Sequence, residues 1–354
     1  MAGSPRVALC VATNREAETL TFLAKWAPFL GPGVSVYIHE DHPRKEFTLP
    51  APANVSLTHT CHADIDAALG KRAWIIPRKS GAGRSFPMYL AWKSGNDYIV
   101  TLDDDCYPNG DEGKSYIETH LAAFRMDRWF RTIDGEEPRG IPYGPKGALP
   151  VLLNHGLWTG VPDLDGPTAL VRGRWPANVI LRAAREVVPP GMWFPLCAMN
   201  VCYSRLAIPA AYNLLMGLDD AGFDRFDDIW SGLFLKRVAD HLGLYVTSGI
   251  PFIHHTKASN YFSNLRKEAL GIHLHESMWT HVAKADLSGA KTVAESYAKL
   301  AKWIARFPAE NPSAPSPKGY FEKLSQAMLA WTELFEESPA TAPARKRAAT
   351  SKSR

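Results

Sequence analysis

The first forty residues carry the strongest constraint on this chain. RVALCVAT (6–13) and VSVYIHED (34–41) are runs rich in β-branched residues, and EAETLTFLAKWAPFL between them has helical spacing. A strand, a helix and a second strand in so short a stretch predict a β-α-β unit, which favours a parallel sheet. The expected class is therefore α/β.

YIVTL (98–102) reads as another strand of this sheet, and it runs straight into Asp103, Asp104 and Asp105. In open α/β sheets ligands bind outside the carboxyl ends of strands, which is where these acids fall. Three adjacent carboxylates repel one another unless a cation answers them. An oxygen-rich site of this kind suits Mg²⁺ or Mn²⁺, which bridge diphosphate oxygens and neutralise leaving-group charge. The competing reading is a solvated turn or helix cap, where Asp is favoured.

Further along, Trp74 to Ile76 predicts a short strand, SGAGRSFPMYLAWKSG a loop entering a helix, and Glu112 to Arg131 a helix with Ile117, Leu121, Phe124 and Trp129 on one stripe. Residues 134–176 are rich in Gly and Pro, and ordered loops over a site are expected there. MWFPLCAMNVCYS reads as a buried run, LAIPAAYNLLMG as a helix, and IWSGLFLKRVADHLG as a helix with Gly243 at its C-cap. LYVTSGIPFIHH reads as a strand. Val293, Tyr297, Leu300, Ile304 and Phe307 then space out a docked helix. ENPSAPSPKG is a linker, YFEKLSQAMLAWTELFEES a last amphipathic helix, and the remainder a low-complexity tail.

Composition excludes several classes. No run of about 18 apolar residues occurs, so no membrane span is expected, and the N-terminus lacks the form of a signal peptide. Five cysteines form no CxxC pair, which fits a reducing, cytoplasmic setting better than a disulfide framework. The net charge is +4, but the last 16 residues hold five of the 40 Lys and Arg and none of the 36 acids. The body thus has 35 bases against 36 acids, and nucleic acid is not an expected partner.

Other residues could carry chemistry. His254 and His255 in GIPFIHHTKASN follow an apolar strand, and either could complete a metal shell begun by carboxylates, while Lys257 could face a phosphate; a structural histidine is the alternative. Asp227 and Asp228 in FDRFDDIWSG open a helix, which one of them could cap while the other holds a sugar hydroxyl or acts as a base. HGLWTGVPDLDGPT gathers His155, Trp158, Asp163 and Asp165, an aromatic face with carboxylates that suits a sugar, against the alternative of solvated loop acids. GAGR, ending in Arg84, is a weak phosphate-loop signal without P-loop spacing. GxGxxG is absent, against a nicotinamide dehydrogenase.

In order, YIVTLDDDC, RGIPYG, HGLWTGVPDLDGPT, FPLCAMN, RFDDIWSG, DHLGLYVTSGIPFIHHTKASN and NLRKEALGI closely resemble the reversibly glycosylated polypeptides, the UDP-arabinopyranose mutase family. The resemblance covers most of residues 6–280. It implies a GT-A-like nucleotide-diphospho-sugar transferase fold with a mostly parallel central sheet plus C-terminal helices. The expected organisation is a UDP-sugar-binding catalytic domain over 1–307, a linker and helix over 308–338, and a basic tail over 339–354.

The resemblance further implies a divalent metal, Mn²⁺ or Mg²⁺, at Asp103, Asp104, Asp105 and His255, with Asp103 and Asp105 on its opposite sides and Asp104 reaching the ribose or the cation. It implies a UDP-sugar substrate, interconversion of UDP-arabinopyranose and UDP-arabinofuranose, and a homo- or hetero-oligomer. Arg84, Lys146, His155, Trp158 and Lys257 are expected near the nucleotide. Arg139 in RGIPYG occupies the place of the family's self-glycosylated arginine, with Ile141 and Tyr143 as departures around it. Lys146 stands where the family has a second arginine and lacks its planar fork. A guanidinium is a poor nucleophile, so a carboxylate such as Asp163, Asp165, Asp227 or Asp228 would have to take up a proton. Two further readings stay open: a glycosyltransferase using the same metal site, and a non-catalytic sugar-nucleotide-binding subunit.

Overall fold

The computed structural model describes residues 4–53, 55–131, 136–172, 184–256 and 260–336. The N-terminal half contains β1 (Val7–Thr13), α1 (Glu16–Trp26), β2 (Val34–Glu40), β3 (Ser56–Thr60), α2 (His62–Leu69), α3 (Ser85–Lys93), β4 (Tyr98–Leu102), β5 (Cys106–Pro108) and α4 (Tyr116–Ala123). Beyond it come β6 (Val151–Gly160), α5 (Gly166–Arg172), β7 (Glu186–Val188), β8 (Asn200–Ser204), α6 (Leu218–Ala221), α7 (Asp227–Leu242) and β9 (Tyr245–His255). Four helices close the chain: α8 (Tyr261–Ala283), α9 (Val293–Ile304), α10 (Phe307–Glu310) and α11 (Tyr320–Glu336).

The strands form one nine-stranded sheet in the order β3-β2-β1-β4-β8-β6-β9-β5, with β7 also on β9. β1 pairs in parallel with β2 and β4, β2 with β3, and β6 with β9, whereas β8 runs antiparallel between β4 and β6. Strands β1, β2, β3, β4, β6 and β9 thus share one direction, and the expected mostly parallel α/β arrangement with C-terminal helices is present. Parallel strands are buried on both faces. Along β1, Leu9 and Val11 enter a cluster with Phe22, Trp26 and Val100, while Ala8 and Cys10 face a second with Phe86 and Ile99.

That second cluster extends to Trp230 on α7 and to Tyr320, Phe321 and Trp331 on α11. Val293, Tyr297, Leu300, Ile304 and Phe307 are all buried, as their spacing predicts, and Gly243 caps α7 at φ 65°. The five cysteines are unpaired thiols. No helix among the described residues is long and apolar enough to cross a membrane.

Several expected elements differ. Trp74 and Ile75 lie in a 3-10 turn, Gly70–Ile75, rather than a strand; Ile75 is buried and Trp74 is 41% exposed. The helix expected over Glu112 to Arg131 is regular only as α4. The expected loop over 134–176 contains β6, whose first six residues are buried, and α5. LAIPAAYNLLMG is helical only as a 3-10 turn, Arg205–Ala210, where Pro209 removes an amide donor.

Candidate active site

Asp103, Asp104 and Asp105 leave the carboxyl end of β4, and the structure gives each carboxylate a different environment. Asp104 turns inward toward β1: Thr13 Oγ1 donates to it at 2.5 Å and Arg15 Nε at 3.0 Å. Burial raises its pKa, an effect that Arg15 and Thr13 oppose. Asp105 accepts from the same guanidinium at 3.1 Å. Asp103 points the other way and is gripped by Arg84, whose Nη2 and Nε lie 2.5 and 3.2 Å from Oδ1.

His255, at the end of β9, approaches Asp105 at its other carboxylate oxygen. Its Nδ1 lies 2.8 Å from the carbonyl of Val161, so Nδ1 carries the proton and Nε2 presents a lone pair. That Nε2 is 3.8 Å from Asp105 Oδ1. A bare nitrogen facing a carboxylate oxygen is satisfied only by a shared proton or cation, and an imidazole beside carboxylates suits a divalent metal.

A cleft of about 460 Å³ lies against Asp103 and Arg84, walled by Trp158, Asp163, Asp227 and Asp228. Asp227 and Asp228 open α7. The backbone N–H of Ala198 donates to Asp228 at 3.0 Å, while the buried Oδ2 of Asp227 has no hydrogen-bond donor, only Arg84 Nη1 at 3.9 Å. Burial raises the pKa of both acids, and the neighbouring Asp227 raises Asp228 further. Burial also disfavours the charge of Arg84, but Asp103, Asp227 and Asp228 outweigh it and hold the guanidinium protonated. Gly81 packs directly on Asp227, since a Cβ there would sit 2.0 Å from Oδ2. A smaller cleft of about 160 Å³ shares Gly81 and Arg84 and is walled by Thr13, Asn14, His39 and Asp41.

The structure gathers most of the residues singled out by sequence. Asp165 lines the larger cleft, though its carboxylate also caps α5 by accepting from Thr168 N at 2.9 Å. His155 instead sits behind Trp158 in the sheet, 3.0 Å from Ser248 Oγ, and burial pushes its pKa down to about 4. Arg139 is exposed on a turn and Lys146 pairs with Glu137; neither lines the cleft. Lys257 lies outside the described residues.

Sequence reasoning passed over Arg15, Arg225 and Glu268. Glu268 on α8 is buried, accepting from Gly166 N and from Arg225 Nε, both at 2.6 Å, and Arg225 reaches Asp163 at 4.0 Å. Arg225 lies inside the quoted run FDRFDDIWSG, where a lone base among three aspartates was the available signal.

Sheet and cleft together define an α/β protein with an acid-lined ligand site at the carboxyl edge of its parallel strands. The chain belongs to the reversibly glycosylated polypeptide family, whose profile matches residues 6–340. It is 36% identical over 334 residues to UDP-arabinopyranose mutase 1 of Arabidopsis thaliana, covering 90% of each chain. It is 34% identical to UDP-arabinopyranose mutase 1 of Oryza sativa subsp. japonica, covering 92% of this chain and 90% of that one. Among solved structures it is similar to S. aureus TarS, at TM-score 0.37 and 11% identity over 93% of this chain and 54% of the other.

Proposed function

We propose that this chain is a UDP-arabinopyranose mutase, an isomerase that interconverts the pyranose and furanose forms of a UDP-linked pentose. The observation that carries the reading is its 36% identity, over 90% of both chains, with the Arabidopsis thaliana mutase. The cleft supplies compatible chemistry. Asp105 and His255 are the side chains that would hold a divalent ion, Mn²⁺ or Mg²⁺, whereas Asp103, expected as a ligand, is turned away and held by Arg84. When bound, such an ion neutralises charge on a departing diphosphate.

Arg84 adds a fixed positive charge at the same edge, where charge develops on the diphosphate as the C1 to oxygen bond breaks. Ring contraction then requires a hydroxyl of the sugar to lose a proton as it becomes the new ring oxygen, while the old ring oxygen gains one. Asp228, its pKa raised to about 7, can accept and return a proton near neutrality. Trp158 offers an aromatic face to the sugar, and Arg225 with Glu268 holds Asp163 in place. Incubating the purified chain with UDP-arabinopyranose and Mn²⁺, and following the nucleotide sugar by NMR, tests the reading. Furanose signals are expected; their absence, with intact UDP-sugar remaining, overturns it.

A second reading, self-glycosylation at Arg139, draws on the exposure of that side chain on its turn. Arg139→Ala should then abolish any sugar mass added to the intact protein after exposure to the nucleotide sugar. Persistence of the added pentose in that variant would exclude Arg139 as the acceptor.

A further inference from the structure

Alternation along β2 sends His39 and Asp41 to one face and Glu40 to the other. Glu40 is occupied, lying 2.9 Å from His42 Nδ1 and 2.7 Å from His59 Nε2 and accepting from the N–H groups of Glu46 and Phe47. On the opposite face, the parallel register of β2 and β3 sets His39 beside Thr60, so His62, two residues on, falls beside Asp41. His62 Nε2 is 2.6 Å from Asp41 Oδ1, and one ligand atom each of His39, Asp41 and His62 lies within 4.8 Å of the other two.

The state of His39 follows from its neighbours. Thr60 Oγ1 donates its only proton to the carbonyl of Ile38 at 3.2 Å, so it accepts from His39 Nδ1–H, also at 3.2 Å. Nε2 of His39 therefore carries a lone pair. A ring whose second nitrogen donates to a fixed oxygen is how metal-bound histidines are held. His39 and Asp41 wall the smaller cleft, which gives the site an entry path. Of the nearby charges, Arg78 is paired with Asp66 at 2.5 Å and Lys79 contributes its backbone N–H to Asp41, while Asp64 adds a further carboxylate on α2.

We propose that His39, Asp41 and His62 form a second metal site, of the class that takes Zn²⁺ or its spectroscopic substitute Co²⁺. Two imidazoles and one carboxylate favour such ions over Mg²⁺, in contrast to the carboxylate-dominated edge at Asp103 and Asp105. Metal bonds of about 2.0–2.2 Å at tetrahedral angles set ligand atoms about 3.4 Å apart, so the His62–Asp41 pair, now at 2.6 Å, opens slightly while any pair near the 4.8 Å limit closes. The ion takes the place of the hydrogen bond between His62 Nε2 and Asp41 Oδ1. It also obstructs the smaller cleft. On the mutase reading, and only for this consequence resting on it, the ion competes with the nucleotide.

The test is a Co²⁺ titration of the full chain followed by visible ligand-field absorption. One equivalent is expected to give the intense band of a four- or five-coordinate site, unchanged in Asp105→Asn. His62→Gln should bind at least about tenfold more weakly, and Thr60→Val, which removes the acceptor for His39 along with the Thr60 bond to the Ile38 carbonyl, about tenfold more weakly. Should His62→Gln fail to fold, Asp41→Asn carries the same comparison. An unchanged band in these variants, or no such band in the parent, overturns the site. Bleaching of the band by UDP supports the competition; a band that survives saturating UDP, with UDP binding confirmed separately, overturns the competition but not the site.

Discussion

Arg15 lies across Asp104 and Asp105, donating from Nε to the first at 3.0 Å and from Nη2 to the second at 3.1 Å. The guanidinium of the β1–α1 turn thereby engages Asp105 at Oδ2, while His255 approaches the other oxygen, Oδ1. Asp104 is 3% exposed, so removing its partner strands a buried carboxylate, a loss of about 3–5 kcal/mol. Arg15→Met is expected to lose this order of stability at pH 8, measured by urea unfolding. At pH 4 the loss should shrink, because a carboxyl whose pKa is already raised takes up a proton and no longer needs the cation. Equal losses at both pH values would contradict the role.

Asp105 and His255 face each other across 3.8 Å, whereas Asp104 is engaged by Thr13 and Arg15. Asp105→Asn and His255→Gln should each weaken Mn²⁺ binding by at least about tenfold in calorimetric titration. Asp104→Asn should appear first as lost stability. Parent-like Mn²⁺ affinity in both of the first two variants would move the metal elsewhere.

Asp228 sets a pH dependence of definite sign. Its pKa rises from the ordinary carboxyl range to about 7 in the folded chain, chiefly through burial. The folded state holds a proton that the unfolded chain releases near pH 4, so this group costs stability as pH climbs from about 4 to 7. Asp228→Asn removes the penalty. Relative to the parent, its melting temperature should be higher at pH 8 than at pH 5; a difference independent of pH would refute the shift.

Gly81 is required because its backbone abuts Asp227. In Gly81→Ala a Cβ would lie 2.0 Å from Asp227 Oδ2, forcing the carboxylate or the turn to move. Turnover of the nucleotide sugar should fall by at least about tenfold, with about 1–3 kcal/mol of lost stability. Parent-like turnover would show that the position of Asp227 does not matter to the reaction.

The strands β1, β2 and β4 were legible because most of their residues are buried and their runs are rich in β-branched and other apolar residues. β6 was not: Gly156 and Gly160 interrupt it, and its polar Asn154 faces inward to His120 at 2.8 Å. α8 escaped notice for a related reason, since Asn264, Glu268, Gly271 and His281 occupy buried positions where the helical pattern calls for apolar residues. The acids of the cleft stood out by spacing and resemblance. Arg15 could not, because one arginine in a turn acquires meaning only when the sheet brings β1 beside β4. The same holds for His62, which meets Asp41 only through the register of β3.

α11 bears on how the chain tolerates shortening. Phe321 stacks on Trp230 at 6.3 Å, and Tyr320 packs edge-on against Phe223 while its hydroxyl donates to the Leu215 carbonyl at 2.9 Å. Phe223 and Trp230 bracket Asp227 and Asp228 in the chain. A stop codon placed before residue 320 would strip the aromatic backing from the helix that presents those two acids, although no described residue of the deleted segment lines the cleft. The C-terminal helix belongs to the machinery as its footing, and any minimal version of this protein has to extend through it.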